Sequence, residues 1–345
     1  MNKEINIIIL GVGGNVSQGI MTAIRLSGIS CRLIGVCVSP ESLGLYFCDA
    51  AYISPYANEE DFLPWLVDIC RKEKVDIIFS GVEEIIWKLE ENREKLQALP
   101  VKFIASPLDC LRIGNNKFLT CEWLRENGLN YPAYALSNDL EAVSRLVKKV
   151  GFPLIAKPVS GKGSSGIMVV KTPVELNNVP LYDYILQEAL GDDRSEYTVG
   201  CYLNKDKCLE SMIVMRRTLR YGTTFKAEII HNPAIEEECR KICSRFGAIG
   251  PLNIQLRIHN GKPVCFELNV RFSGTTPLRA RWGFNDVKAM LDEYIYCQYV
   301  NLAPLEKGLA YRYFNEAFVD LSMQHQLTNE GHVDDCRYFE NYKEC

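Results

Sequence analysis

Glu267, Asn269 and Arg271 stand at alternate positions of the run Val264-Cys265-Phe266-Glu267-Leu268-Asn269-Val270-Arg271, with apolar residues between them. A period of two is that of a half-buried strand, so the three polar side chains share one face. A carboxylate and the amide oxygens of Asn269 and Gln255, completed by water, suit a hard, oxygen-seeking cation such as Mg²⁺, which is itself held largely through substrate phosphates. Arg271 adds positive charge to that face. Taken alone, the same alternation is also the solvated side of an edge strand, which is ordinary in antiparallel sheets.

A second group lies about a hundred residues earlier, where Phe152-Pro153-Leu154-Ile155-Ala156-Lys157-Pro158 reads as a short apolar strand with one charge near its end. A lysine in such a strand needs an anionic partner, because burying an unpaired ammonium is costly. Gly161-Lys162-Gly163-Ser164-Ser165-Gly166 then supplies a loop of tiny residues whose backbone N–H groups can close over phosphates. It is not a Walker A loop, since Gly166 leads directly into Ile167-Met168-Val169-Val170. The pattern predicts a hairpin lid carried by two strands. Lys117, in Asn115-Asn116-Lys117, reads by itself as a plain surface lysine.

These groups need elements to hold them. The run Ile5-Asn6-Ile7-Ile8-Ile9-Leu10 enters Gly11-Val12-Gly13-Gly14, a strand and glycine turn that open a βαβ unit. Strand-like runs at 32–38, 75–79 and 101–105 alternate with helical ones at 62–72 and 84–99, the pattern of a parallel sheet covered by helices. A nicotinamide fingerprint is not met: Val16 stands where the third glycine would fall, and Val36-Cys37-Val38-Ser39 has no acid for a ribose hydroxyl. Glu83 follows the strand ending at Phe79, at the sheet edge where open α/β domains bind ligands; it serves equally as an acid in the first turn of a helix. Ser106 and Pro107 open a helix, and a further one is expected over 117–126, stopped by Asn127-Gly128. A domain boundary near residue 105 follows.

With 345 residues the chain exceeds one compact core, and the net charge of -4 carries no electrostatic footprint for nucleic acid. The start lacks the features of a signal peptide and no run of about 18 apolar residues occurs, so a cytoplasmic protein without membrane partners is expected. The 14 cysteines are scattered without a C-x-x-C, which reads as reduced, buried thiols, and the 4 histidines show no zinc-ligand spacing.

The ordered set Lys117, Ile155-Ala156-Lys157-Pro158, the glycine-serine loop, Gln187-Glu188-Ala189-Leu190, Glu196-Tyr197-Thr198-Val199, Asn253-Ile254-Gln255 and Glu267-Leu268-Asn269-Val270-Arg271 resembles the ATP-grasp superfamily. It is most similar to one synthetase unit of the carbamoyl-phosphate synthase large subunit. The resemblance implies a Rossmann-like preATP-grasp domain (1–105, α/β) followed by a two-lobed ATP-grasp fold (α+β). The small lobe with its glycine-rich lid would span 106–190 and the catalytic lobe 191–320, before a C-terminal tail over 321–345; by composition, the polar and acidic run from Asn329 to Cys345 reads as a loose tail or a dimer arm. Lys117 and Lys157 are implied to contact nucleotide phosphates under a lid that includes Gly161, Gly163, Ser164, Ser165 and Gly166. Gln187, Glu188, Ala189 and Leu190 would form the linker that reads adenine, with Glu188 and Glu196 as acids near adenine and ribose. Gln255, Glu267 and Asn269 would ligate Mg²⁺, two ions bridged by Glu267, with Mn²⁺ as the alternative metal. Arg271 would approach the transferred phosphate, with Arg217, Arg279 and Arg281 as further cations. Asn116 stands where the family has aspartate, which puts the hydrogen bonding of Lys117 in question.

The implied activity is an ATP-dependent ligase joining a small-molecule carboxylate to an amine or ammonia through an acyl phosphate, with release of ADP. No second synthetase half, glutaminase or allosteric domain is seen, so a stand-alone unit is expected, with a homodimer as one assembly. The alternative is a silent nucleotide-binding subunit that keeps the fold for assembly.

Overall fold

The computed structural model describes residues 4–97, 99–161, 165–192, 195–313, 315–334 and 336. Two compact units result. One comprises the chain up to Leu108, Arg271–Ala303 and the part from Tyr313; the other comprises Asp109–Val270 and Pro304–Arg312.

In the first unit, β1 (Ile5–Leu10) is buried at every position but Asn6, as suits a strand covered on both faces. It is followed by α1 (Asn15–Leu26), β2 (Cys31–Cys37), β3 (Ala50–Ile53), α2 (Phe62–Lys72), β4 (Ile77–Ser80), α3 (Glu83–Glu91), α4 (Arg93–Gln97) and β5 (Lys102–Phe103). The strands pair in parallel in the order β3-β2-β1-β4-β5. The turns after β1 and β4 therefore lie side by side. Gly81 N donates to Ser17 Oγ at 3.0 Å, and a Cβ on Gly11 would stand 2.3 Å from Val82 Cγ2. With φ at +72°, Gly11 is required by the backbone as well as by the close approach. The single helix expected over 84–99 is instead two, broken at Asn92, whose amide donates to the Lys88 carbonyl at 2.9 Å. Asparagine offers the backbone an alternative partner, and the helix ends there.

The second unit begins with α5 (Leu108–Asn115), α6 (Lys117–Glu126), β6 (Tyr134–Leu136), α7 (Leu140–Val150), β7 (Leu154–Pro158), β8 (Met168–Val170), α8 (Pro173–Leu176) and β9 (Tyr184–Glu188). Its four strands form an antiparallel sheet in the order β6-β9-β7-β8, packed on Val143 and Leu146 of α7. The hairpin of β7 and β8 carries the glycine-rich loop. Next come β10 (Glu196–Leu203), β11 (Leu209–Arg220), β12 (Thr223–Ile229), α9 (Pro233–Phe246), β13 (Gly250–His259), β14 (Lys262–Asn269) and, after an excursion to the first unit, β15 (Leu309–Tyr311). They build a six-stranded antiparallel sheet in the order β14-β13-β10-β11-β12-β15. The two sheets of this unit fall on either side of residue 190. Among the described residues of 311–320, only Tyr311 belongs to a strand.

The first unit is completed by α10 (Thr276–Arg281), α11 (Asp286–Tyr294), α12 (Leu321–Glu330) and β16 (His332–Asp334). β16 pairs antiparallel with β3, His332 opposite Tyr52. The described part of 321–345 is thus a helix and an edge strand, not the loose tail expected. Local chemistry explains it: Asp320 caps α12 by accepting from Ser322 N at 2.7 Å, Gly331 ends it at φ +74°, and Leu327 and Val333 are buried. No helix among the described residues is long and apolar enough to cross a membrane.

Candidate functional site

A cavity of about 380 Å³ in the second unit is lined by both of its sheets, and Lys117, Lys157, Gln187, Glu188, Glu196, Arg217, Gln255 and Glu267 all reach it. Its cationic end is built by β7 and α6. Lys157 is 6% exposed, with Nζ 5.2 Å above the ring of Phe266. Burial lowers its pKa from the ordinary 10.5 to about 8; Glu267 opposes that shift and the Lys117 ammonium adds to it. A buried ammonium depressed by a second ammonium beside it in a cavity forms a seat for an anion.

Lys117 occupies the first position of α6, and Asn116 caps that helix by accepting from Phe118 N and Leu119 N, both at 3.0 Å. Asparagine thus fills a capping role open to aspartate too, and Lys117 keeps its place. The Lys117 Nζ donates to the Gly161 carbonyl at 3.0 Å, at the start of the lid loop. Gly161 and Gly166 take φ of +129° and +74°, and a Cβ on Gly166 would meet Tyr184 Oη at 2.8 Å and Pro158 Cγ at 2.9 Å. Ser165 lines the cavity. Gly163 and Ser164, with Lys162, lie outside the described residues.

Another side of the cavity is carried by β13 and β14, whose register sets Gln255 against Glu267 and Asn253 against Asn269. Asn269 Nδ2 donates to Glu267 Oε1 at 3.2 Å, which leaves the amide oxygen of Asn269 as its acceptor group. Among the described residues no three or more His, Cys, Asp or Glu cluster to hold a metal. The donor set of one carboxylate and neighbouring amide oxygens fits Mg²⁺, a cation that keeps water and takes substrate phosphate oxygens. Gln255 Oε1 also accepts from Arg217 Nη2 at 2.7 Å.

Arg217 bonds at the same time to Glu196, Nε to Oε1 at 3.0 Å, and Arg257 holds the other carboxylate oxygen at 2.6 Å. Burial would push the Glu196 carboxyl up, but the Arg217 and Arg257 guanidiniums outweigh it and hold the group below the usual carboxylate range. In the linker, Gln187 is buried and donates to Cys121 Sγ at 3.0 Å. Glu188 accepts from Ala133 N at 3.2 Å and meets His259 Nε2 at 3.0 Å. Ala189 leads on to Leu190, whose carbonyl accepts from Arg257 Nη1 at 3.1 Å. Sequence reasoning missed Arg257 and His259. The signal was there: they follow Gln255 at steps of two, on one face of β13.

Arg271 belongs to the first unit, where its Nη2 lies 2.7 Å from Glu83 Oε1 and its Nη1 donates to the Phe272 carbonyl at 2.9 Å. Glu83 opens α3 and takes this arginine as partner. Arg279, expected as a further cation of an anion site, is instead a structural residue of the first unit. It is 1% exposed, ion-paired to the buried Asp286, and donates to Ser273 Oγ and Thr276 Oγ1 at 3.0 and 3.1 Å. Arg281 is exposed.

Two family models match the chain. "PylC-like, N-terminal domain" covers residues 7–104, and "ATP-grasp in the biosynthetic pathway with Ter operon" covers residues 181–317. Residues 181–317 thus match an ATP-grasp domain and residues 7–104 a PylC-like N-terminal domain. Among curated relatives, the carbamoyl phosphate synthase large chain of Helicobacter pylori is 24% identical over 315 residues, 81% of the chain and 28% of that protein. The chain thus spans little more than a quarter of that relative. Formate-dependent phosphoribosylglycinamide formyltransferase of Prochlorococcus marinus is 23% identical over 288 residues, 77% of the chain and 69% of that protein. Among solved structures, N5-carboxyaminoimidazole synthetase of Staphylococcus aureus complexed with ADP matches at TM-score 0.71 and 14% identity, over 90% of the chain and 82% of that chain. The biotin carboxylase domain of Hydrogenobacter thermophilus 2-oxoglutarate carboxylase matches at TM-score 0.64 and 14% identity, over 83% and 70%. At such identities the likeness is one of fold: a Rossmann-like domain followed by an ATP-grasp domain.

Proposed function

We propose that this protein is an ATP-dependent ligase that joins a small carboxylic acid to an amine or to ammonia through an acyl phosphate, releasing ADP and phosphate. One observation carries the reading: Lys117, Lys157, Gln255 and Glu267 line a single cavity. A carboxylate oxygen is a poor leaving group and phosphate is a good one, so activation by phosphoryl transfer makes the attack of an amine feasible. The names of the relatives, with formate, carbamoyl and carboxy groups among them, favour an acid as small as formate or bicarbonate.

The residues divide the work. Lys117 and Lys157 neutralise the nucleotide phosphates, with Gly161 and Ser165 lining the same cavity. The linker Gln187 to Leu190 and the acid Glu196 receive the nucleoside. Gln255, Glu267 and Asn269 would hold Mg²⁺, which when bound neutralises charge on the phosphates. Arg217 supplies fixed positive charge toward the transferred group, and such preorganised charge lowers the barrier without reorganisation cost.

The test is a screen for ADP release with MgATP over formate, bicarbonate and amino acids, each with ammonia or an amine. Release that depends on both an acid and an amine is expected. Thermal stabilisation by MgATP without such release would instead assign the chain as a nucleotide-binding subunit.

A further inference from the structure

Three side chains on one face of β13 touch three parts of the cavity. Gln255 faces Glu267, Arg257 holds Glu196 and the Leu190 carbonyl, and His259 holds Glu188 and the next turn of the linker. The details of that last contact settle the state of the ring. Gly191 N donates to His259 Nδ1 at 3.1 Å, so Nδ1 carries the lone pair and the proton on Nε2 points to Glu188 Oε1 at 3.0 Å. A neutral histidine thus presents one acceptor and one donor to residues three apart in the chain.

The backbone reinforces the same seam. Ile258 N donates to the Ser195 carbonyl at 3.1 Å, and Gly191, at φ +49°, is packed so tightly that a Cβ would stand 2.6 Å from the Ile258 carbonyl. Arg257 ties the seam together: its Nη1 takes the Leu190 carbonyl at 3.1 Å while its Nε and Nη2 take Glu196 Oε2 at 3.1 and 2.6 Å. One planar guanidinium therefore fixes the distance between the linker and the acid across the segment that joins β9 to β10. Lysine has no such fork.

We infer that Arg257 and His259 are positioning residues for the nucleoside, a clamp that sets the linker 188–191 and Glu196 at the separation of a base and its ribose. The inference rests on the nucleotide reading of the cavity. It adds that recognition of the nucleoside is controlled from β13, through residues that act on the linker. The phosphate end, built by Lys117 and Lys157, is independent of the clamp.

The experiment is titration calorimetry of the whole chain with MgADP and, separately, with tripolyphosphate, which has phosphates but no nucleoside. Arg257→Met and His259→Leu are expected to weaken MgADP about tenfold, the size of one lost charge-assisted hydrogen bond, while tripolyphosphate binding stays within about twofold. His259→Gln, which restores one donor and one acceptor, is expected to recover most of the loss. Arg257→Met also leaves Glu196 short of a partner; His259→Leu, at a half-buried site, keeps the question open to test if that variant does not fold. Unchanged MgADP affinity in His259→Leu, or an equal loss for both ligands, would overturn the clamp. A wild-type chain that binds no MgADP would overturn the nucleotide reading itself, and the clamp with it.

Discussion

Arg217 Nη2 stands 2.7 Å from Gln255 Oε1, while Arg217 Nε holds Glu196. A cationic side chain thus occupies one of the amide oxygens proposed for the metal. Removing its charge lowers repulsion toward a divalent ion and also removes charge that would face the transferred phosphate. For Arg217→Met the expected outcome is a half-saturating Mg²⁺ concentration several-fold lower and a kcat down about a hundredfold. A Mg²⁺ titration of ADP release checks both.

Lys157 gives nucleotide binding a pH dependence. Burial holds its free-state pKa at about 8, and nucleotide phosphates beside it would raise that value. Below pH 8 the ammonium is already charged and binding moves no proton. Above it, binding takes up a proton and affinity falls as pH rises. Calorimetry at pH 8.5 in two buffers of different ionisation enthalpy is expected to show proton uptake, and Lys157→Met is expected to abolish it.

Glu267 is the sole carboxylate of the proposed metal face. Glu267→Gln keeps the shape of the side chain and its contact with Asn269, so the thermal midpoint is expected to move by no more than a few degrees. Turnover is expected to fall by at least about a thousandfold. A variant that releases ADP at the wild-type rate would remove the metal assignment.

The Arg279–Asp286 pair makes a prediction about stability alone. Burial pushes the Asp286 carboxyl up, and the Arg279 guanidinium opposes that without overcoming it, so desolvation exceeds attraction in this pair. Arg279→Met leaves an unpaired buried acid and is expected to cost about 3–5 kcal/mol in urea unfolding. The double variant Arg279→Met/Asp286→Leu is expected to recover most of that cost, because a buried pair replaced by apolar groups is often neutral.

The amino-acid sequence by itself determined the elements whose signals are local. α2 and α6 span 62–72 and 117–126 as their periodicity and stop residues require, and the hairpin bearing the lid follows from two apolar runs around glycines. The alternation of Glu267 and Asn269 likewise announced two side chains that meet on one face of β14, while Arg271 lies beyond the end of that strand. Tertiary structure alone decided how the charges are matched. Arg217 meets Gln255 across 38 positions, Arg257 meets Glu196 across 61, and Arg271 meets Glu83 across 188. Periodicity encodes which way a side chain points but carries nothing about which distant group it will neutralise. The same limit hid the burial of Arg279 and the return of α12 and β16 to the first sheet, since both depend on partners supplied by segments far away in the chain.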